Sequence, residues 1–243
     1  MKAKGKKVLI LSGGDISIKF LEEYLQKEEF EYVIVADSGL FVADKLKLKI
    51  DCILGDFDSV PKDLIKRYKQ EKNHTSSYVI DEYDSKKDYT DTQIAIEKAI
   101  EQEPEEIVIL GAIGTRLDHT LSNLHNLLIP LKKNIKCSLI NEHNKLYIIN
   151  KPTQIYKKDI FASYVSLLPL TMLVEKVTLL GFKYSLEEYD MHLGNSVGIS
   201  NEIIEEEALI NFDSGVLIVV ESKDWIIDLN TRRNYETRNS RIT

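Results

Sequence analysis

Over its first 150 residues the chain alternates short, nearly unbroken apolar runs with longer amphipathic ones. KVLILSGG (7–14), YVIVADSG (32–39), DCILGDFDS (51–59), SYVIDEY (77–83) and EIVILGAIG (106–114) have the length and β-branched content of strands. Between them lie helical patterns: one carrying Ile16, Phe20, Leu21 and Leu25, then LFVADKLK, PKDLIKRYKQ, TDTQIAIEKAIEQ and DHTLSNLHNLLIP. Pro61 suits the first turn of the third of these. A strand that is apolar on both faces must be covered on both faces, so the alternation predicts a parallel sheet between two layers of helices. Ligands of such sheets bind beyond the carboxyl ends of the strands. Asp37, Asp56, Asp58 and the Gly111–Arg116 turn all fall at such ends.

After about Asn150 the rhythm changes. QIYKK, YVSLLPL, VEKVTLLGF, EALINF, VLIVVE and WIIDL are short β-like runs. Leu193-Gly194-Asn195 and Asp213-Ser214-Gly215 read as turns between them. The expectation is an antiparallel sandwich or barrel. The boundary is placed at Lys151-Pro152, giving an α/β domain over 1–150 and a β-sandwich over 151–243. The polar, mostly basic end NTRRNYETRNSRIT is expected to fray.

With 243 residues, 43% of them hydrophobic, the chain can bury a substantial core. Its net charge of −7 argues against a general nucleic-acid or anionic-membrane binder. Phosphate binding would then need local basic groups or a metal. Cys52 and Cys137 both sit in apolar runs, with no Cys or His partner at metal-ligand spacing, which suits reduced thiols in a cytoplasmic protein. The apolar part of the N-terminus, Val8 to Leu11, is too short for a signal-peptide core, and nowhere do apolar residues run for the ~18 that span a bilayer.

Three constellations carry possible chemistry. Asp56 and Asp58 flank Phe57, and on an extended segment i and i+2 point the same way. Two neighbouring carboxylates repel unless a cation lies between them. In DSKKDYTDTQIAIEKAI, Thr90 and Gln93 have capping-box spacing; Asp91 lies in the first helical turn, with Asp88 just before. In GAIGTRLDHTLSN, Gly111 and Gly114 let the chain turn, and Arg116 can grip phosphate oxygens as a fork. Asp118 opens the next helix, with His119 beside it and Asn123 further on. Singly, each has an ordinary alternative: capping for Asp88 and Asp91, a turn for a strand-end Asp, a helix-surface or core position for His119. Gly13-Gly14 matches neither the dinucleotide fingerprint nor a P-loop. Together, carboxylates without His or Cys suit a hard, oxygen-seeking cation, and Mg²⁺ is the usual bridge between carboxylates and a polyphosphate.

The ordered motifs go further. ADSG (36–39), LGDFDS (54–59), KKDYTDTQIAI (86–96) and GAIGTRLDHTLSN (111–123) resemble those of the thiamin pyrophosphokinase family, in the same order. GFKYSL (181–186) and SVGISNEI (196–203) look like that family's C-terminal pattern. The resemblance implies a Rossmann-like α/β catalytic domain, a β-sandwich second domain and a homodimer with active sites between subunits. It implies the reaction of thiamin with ATP to give thiamin diphosphate and AMP, with Mg²⁺. By motif, Asp56, Asp58 and Asp91 would hold the metal and the triphosphate, with Asp118 nearby and Arg116 and His119 at the polyphosphate. Asp37, Ser38 and Gly39, with Thr90 and Gln93, would approach the nucleotide. Ser200 and Asn201 would meet the aminopyrimidine of thiamin, and Asp118 or Asp88 would accept the alcohol proton. The chain departs from the family pattern twice: Ser38 stands where a glycine is usual, as does Thr115. Serine tolerates positive φ poorly, so the backbone at Ser38 is expected to differ. Two competing readings are another Mg²⁺-dependent phosphotransferase acting on a small alcohol, and a non-catalytic nucleotide or vitamin sensor. A third is an interaction module with a decayed enzyme domain.

Overall fold

The structure, a computed structural model, describes residues 5–72, 78–83 and 88–224. The strand expected at WIIDL and the fraying expected of the C-terminal tail lie outside the described residues.

Six strands, β1 (Lys7–Leu11), β2 (Tyr32–Ala36), β3 (Cys52–Gly55), β4 (Val79–Glu82), β5 (Glu106–Leu110) and β6 (Lys136–Ile140), run parallel in the order β4-β3-β2-β1-β5-β6. Alternate residues of β1 serve opposite cores. Val8 and Ile10 pack on the side of α4 (Asp91–Ile100), α5 (Leu117–Asn126) and α6 (Leu128–Leu131), with Ala95, Ile96 and Ala99. Leu9 and Leu11 pack on the side of α1 (Ile18–Leu25), α2 (Gly39–Lys45) and α3 (Lys62–Lys72), with Leu21, Leu40 and Leu64. Each such Leu or Ile stabilises the fold by roughly 1.5–3 kcal/mol relative to exposure, which is why a doubly buried strand is apolar throughout. Ser17 caps α1 by accepting the Phe20 amide at 3.3 Å, and Pro61 offers its carbonyl to the Leu64 amide at 3.0 Å, starting α3.

The chain lays down β1 to β4 outward in one direction, then returns past β1 to place β5 on its other side. The crossovers on the two sides therefore diverge between β1 and β5, opening a crevice at the carboxyl ends of those two strands.

β7 (Asn144–Ile149) turns back against β6 through Asn141, whose Oδ1 accepts the amides of His143 and Asn144 at 3.0 and 2.8 Å. From there the sheet is antiparallel: β13 (Leu217–Ser222) pairs with β7 and β9 (Tyr164–Pro169) with β13, making nine strands among the described residues. A second antiparallel sheet, ordered β11-β10-β12-β8, comprises β8 (Thr153–Tyr156), β10 (Leu173–Leu180), β11 (Leu186–His192) and β12 (Glu207–Asn211). The two layers share a core that includes Val165, Leu167, Val219, Val177 and Met191. The sandwich thus uses the far end of the α/β sheet as one of its layers, and that layer begins at Asn144, before Lys151.

Candidate functional site

A cavity of about 430 Å³ opens at the β1/β5 crevice. Four turns build it. The turn after β1 brings Ser12, Gly13, Gly14 and Asp15; that after β2 brings Asp37 and Ser38; that after β3 brings Ser59; that after β5 brings Gly111, Ala112, Gly114, Thr115 and Arg116. The first residues of α4 and one face of α5 complete it with Thr90, Asp91, Thr92, His119, Thr120 and Asn123. Gly111 sits at φ +72°, and a Cβ there would lie 2.5 Å from the Ser12 carbonyl oxygen, so only glycine lets the β1 and β5 turns approach. Asn123, buried, ties its Nδ2 to the Ala112 carbonyl at 2.9 Å and fixes the β5 turn on α5.

Asp37 holds the left-handed conformation here, at φ +49°, while Ser38 has φ −63°. The serine is therefore unstrained, contrary to the concern raised by its replacing a glycine, and Asp is among the residues that tolerate this region. The Ser38 hydroxyl instead bonds the Gly13 carbonyl at 2.9 Å, joining the first two turns. Gly39 is buried as the first residue of α2 and does not line the cavity.

The Asp37 carboxylate is the most conspicuous group. Its Oδ2 accepts the Ser59 hydroxyl, and its Oδ1 is buried with no hydrogen-bond partner among the described residues. Burial pushes its pKa above the usual 3.8; the carboxylates of Asp91 and Asp56 push the same way, against the Ser59 hydroxyl and the Ser38 amide. The charges of Asp91 and Asp56 thus both bear on Asp37.

Asp56 and Asp58 need a correction. They lie beyond the end of β3, and Phe57 between them is at φ +60°, so the extended alternation that would aim both one way is absent. Asp56 Oδ1 accepts the Asp58 amide at 3.1 Å, the turn-forming role. Asp56 remains near Asp37, whereas Asp58 is exposed. Thr90 caps α4 through the Gln93 amide at 3.3 Å, but Gln93 turns to Glu97 at 3.1 Å instead of reaching back, so only half of a capping box forms. Asp91 enters the cavity; Gln93 and the exposed Asp88 do not.

Arg116 holds Asp118 with both arms of its fork, Nε to Oδ1 at 3.2 Å and Nη2 to Oδ2 at 2.7 Å, at an exposed site. That contact, with the His119 amide at 3.0 Å, lowers the Asp118 pKa. Arg116 and His119 line the cavity; Asp118 does not.

Ser200 and Asn201 lie outside this cavity, whose lining comes only from residues 12–123. Ser200 is exposed at φ +55°, its amide bonded to Ser166 Oγ at 2.9 Å. Asn201 is 3% exposed and its amide is engaged with the Tyr184 backbone, so the reading of it as a group displayed to thiamin gives way to a structural one. Ser12, Asp15, Ser59, Thr92 and Thr120 line the cavity without having been singled out from the sequence. The signal for Ser12 and Asp15 was the SGGD turn ending β1, which matches no fingerprint yet lies at the switch point.

Among the described residues no three His, Cys, Asp or Glu side chains converge as a ready metal cage. Mg²⁺ needs less, since it keeps several waters and takes one or two carboxylates beside phosphate oxygens. The oxygen-only donors, the mutual repulsion and the orphaned Asp37 Oδ1 fit such an ion.

Fold and site together define an α/β protein with an oxygen-lined crevice at the switch point of its sheet. Residues 22–139 match the thiamin pyrophosphokinase catalytic domain and residues 152–217 the thiamin pyrophosphokinase vitamin B1 binding domain. The thiamine pyrophosphokinase of Bacillus subtilis is 35% identical over 170 residues, covering 70% of this chain and 77% of its own. A crystal structure of thiamine pyrophosphokinase from Bacillus subtilis superposes with a TM-score of 0.79 at 30% identity, over 90% of this chain and 100% of that one. A thiamin pyrophosphokinase from Geobacillus thermodenitrificans gives 0.77 at 27%, over 90% and 99%. The chain belongs to the thiamin pyrophosphokinase family, and it is an enzyme that converts thiamin to thiamin diphosphate.

Proposed function

We propose that the cavity takes the triphosphate of ATP with Mg²⁺, and that the hydroxyl of thiamin attacks the β-phosphorus. A bond forms between the thiamin oxygen and that phosphorus, the α–β bridging bond breaks, and AMP leaves with the bridging oxygen. The observation that carries this is the buried, unpartnered Oδ1 of Asp37 among the carboxylates of Asp91 and Asp56, at the switch point of the sheet. Asp37, Asp56 and Asp91 would hold the ion, with Asp58 beside them. Mg²⁺ there would neutralise carboxylate and phosphate together and stabilise charge developing on the bridging oxygen.

Arg116 and His119 face the same cavity and suit the polyphosphate, with Thr90 and Ser38 on its rim. Asp118, held ionised by Arg116, is a weak proton acceptor as it stands. If Arg116 turns to phosphate, Asp118 loses its partner and its basicity rises, which leaves it, like the equally exposed Asp88, a candidate acceptor of the thiamin proton. Residues 1–150 would carry the ATP and metal chemistry and residues 151–243 the vitamin, with Ser200 on the presented surface.

Among the described residues the cavity draws nothing from the C-terminal half of its own chain. This supports a homodimer whose second subunit completes the site, a state that light scattering in solution tests. A cytoplasmic location agrees with two free, buried cysteines and with no described helix long and apolar enough to cross a membrane. Incubation with ATP, Mg²⁺ and thiamin should yield AMP and thiamin diphosphate in equal amounts. ADP with thiamin monophosphate would point instead to the simpler phosphotransferase.

A further inference from the structure

At the floor of the cavity two hydroxyls face each other. Ser12 Oγ, just past the end of β1, and Thr92 Oγ1, in the first turn of α4, lie 2.6 Å apart, and either can be the donor. Both side chains are buried, at 6% and 7% exposure, and both line the cavity. Among the described residues each hydroxyl has the other as its hydrogen-bond partner.

The proton count is what matters. Two hydroxyls bring two O–H donors, and the bond between them uses one. The other has no acceptor in the described protein, and a buried donor left unmade is costly. Whichever hydroxyl accepts within the pair keeps its own proton for something outside it. Accepting a hydrogen bond also polarises that O–H and strengthens its donation. An anionic oxygen is the acceptor such a donor suits.

We infer that the Ser12–Thr92 pair donates one hydrogen bond to a phosphoryl oxygen of the bound nucleoside triphosphate. The inference rests on the reading of this cavity as the triphosphate site. It adds a neutral donor to a pocket whose carboxylates, Asp15, Asp37 and Asp91, otherwise repel phosphate. Because the two hydroxyls come from the turn after β1 and from α4, the pair also couples the strand end to the helix start that carries Asp91.

The test is equilibrium titration of Mg·ATP into the full-length protein, with thiamin kinetics and melting temperature measured alongside. Thr92→Val and Ser12→Ala each remove one hydroxyl. At least one should weaken Mg·ATP binding about tenfold, with the apparent KM for thiamin unmoved; the larger loss marks the hydroxyl that meets phosphate. Thr92→Ser should restore wild-type affinity. Wild-type affinity in both Thr92→Val and Ser12→Ala overturns the inference. So does an equal loss for ATP and thiamin with a fallen melting temperature, or failure of both to fold, because each marks a purely structural pair. A wild-type protein that fails to bind Mg·ATP overturns the triphosphate reading itself.

Discussion

Asn201 closes on the backbone of Tyr184 from both sides: its Oδ1 accepts the Tyr184 amide at 3.0 Å, and its Nδ2 donates to the Tyr184 carbonyl at 2.7 Å. The same Oδ1 takes the Glu202 amide at 2.9 Å, and the Asn201 carbonyl takes the Val165 amide at 2.8 Å, so one residue pins the 181–186 segment to β9. Asn201→Ala keeps the main-chain bond and strips the side-chain ones. Leaving these backbone groups unpaired costs about 1–3 kcal/mol. The melting temperature should fall by several degrees, at roughly 2–4 °C per kcal/mol for a chain of this size. Ser200→Ala, at an exposed hydroxyl, should leave it unchanged. Thermal denaturation of the two variants side by side decides the matter; an unaltered melting temperature in Asn201→Ala would refute the structural role.

Asp37 ties stability to pH. Its pKa is raised in the folded protein, so between the usual 3.8 and that raised value the native state binds more protons than the unfolded one. Its contribution to stability is fully present below 3.8 and is lost as pH rises through the folded value. At neutral pH the ionised side chain is a net burden on the metal-free protein. Asp37→Asn should therefore raise the neutral-pH melting temperature measured in chelator, and remove this part of the acid-side slope. Activity should fall by orders of magnitude. An Asn variant that is less stable in chelator at pH 7 would contradict this.

The Arg116–Asp118 pair is open to solvent, with side chains 70% and 67% exposed, and such pairs contribute little to stability. Arg116→Lys keeps the charge and loses the two-armed grip. We expect kcat/KM for ATP to drop by at least tenfold with an unchanged melting temperature. A lysine variant that works as well as wild type would leave Arg116 with no phosphate role.

Where the sequence was legible, one force dominated. The runs at β1, β2, β3 and β5 are buried on both faces, so their apolar character has a single explanation, and the helices between them follow from period and caps. β11 was missed because its residues are half exposed, its pairing with β10 is bulged, and Glu188 within it is at φ +43°. The β6–β7 reversal was missed because it depends on the Asn141 side chain, not on an apolar pattern. At the site, Asp37 and the β5 turn were legible as strand-end positions, and both line the cavity. The i, i+2 argument for Asp56 and Asp58 failed on a single left-handed Phe57. No spacing rule could have paired Ser12 with Thr92, 80 residues apart in the chain.

The metal claim makes the sharpest ranking. If an ion sits among carboxylates that otherwise repel, Mg²⁺ binds the folded state and stabilises it, by about 1.4 kcal/mol at ten times its dissociation constant. The side chains that face one another should matter most. Asp37 and Asp91 line the cavity and Asp56 acts on Asp37, though one Asp56 oxygen is already engaged by the Asp58 amide. Asp58 is exposed. The rise in melting temperature with Mg²⁺ should accordingly be abolished in Asp37→Asn and Asp91→Asn, reduced in Asp56→Asn and least affected in Asp58→Asn. Loss of turnover should follow the same order. The measurement needs no substrate, so it separates metal binding from catalysis. Should Asp58→Asn lose the Mg²⁺ response while Asp37→Asn retains it, the ion would have to sit on the exposed side of the β3 turn, outside the cavity.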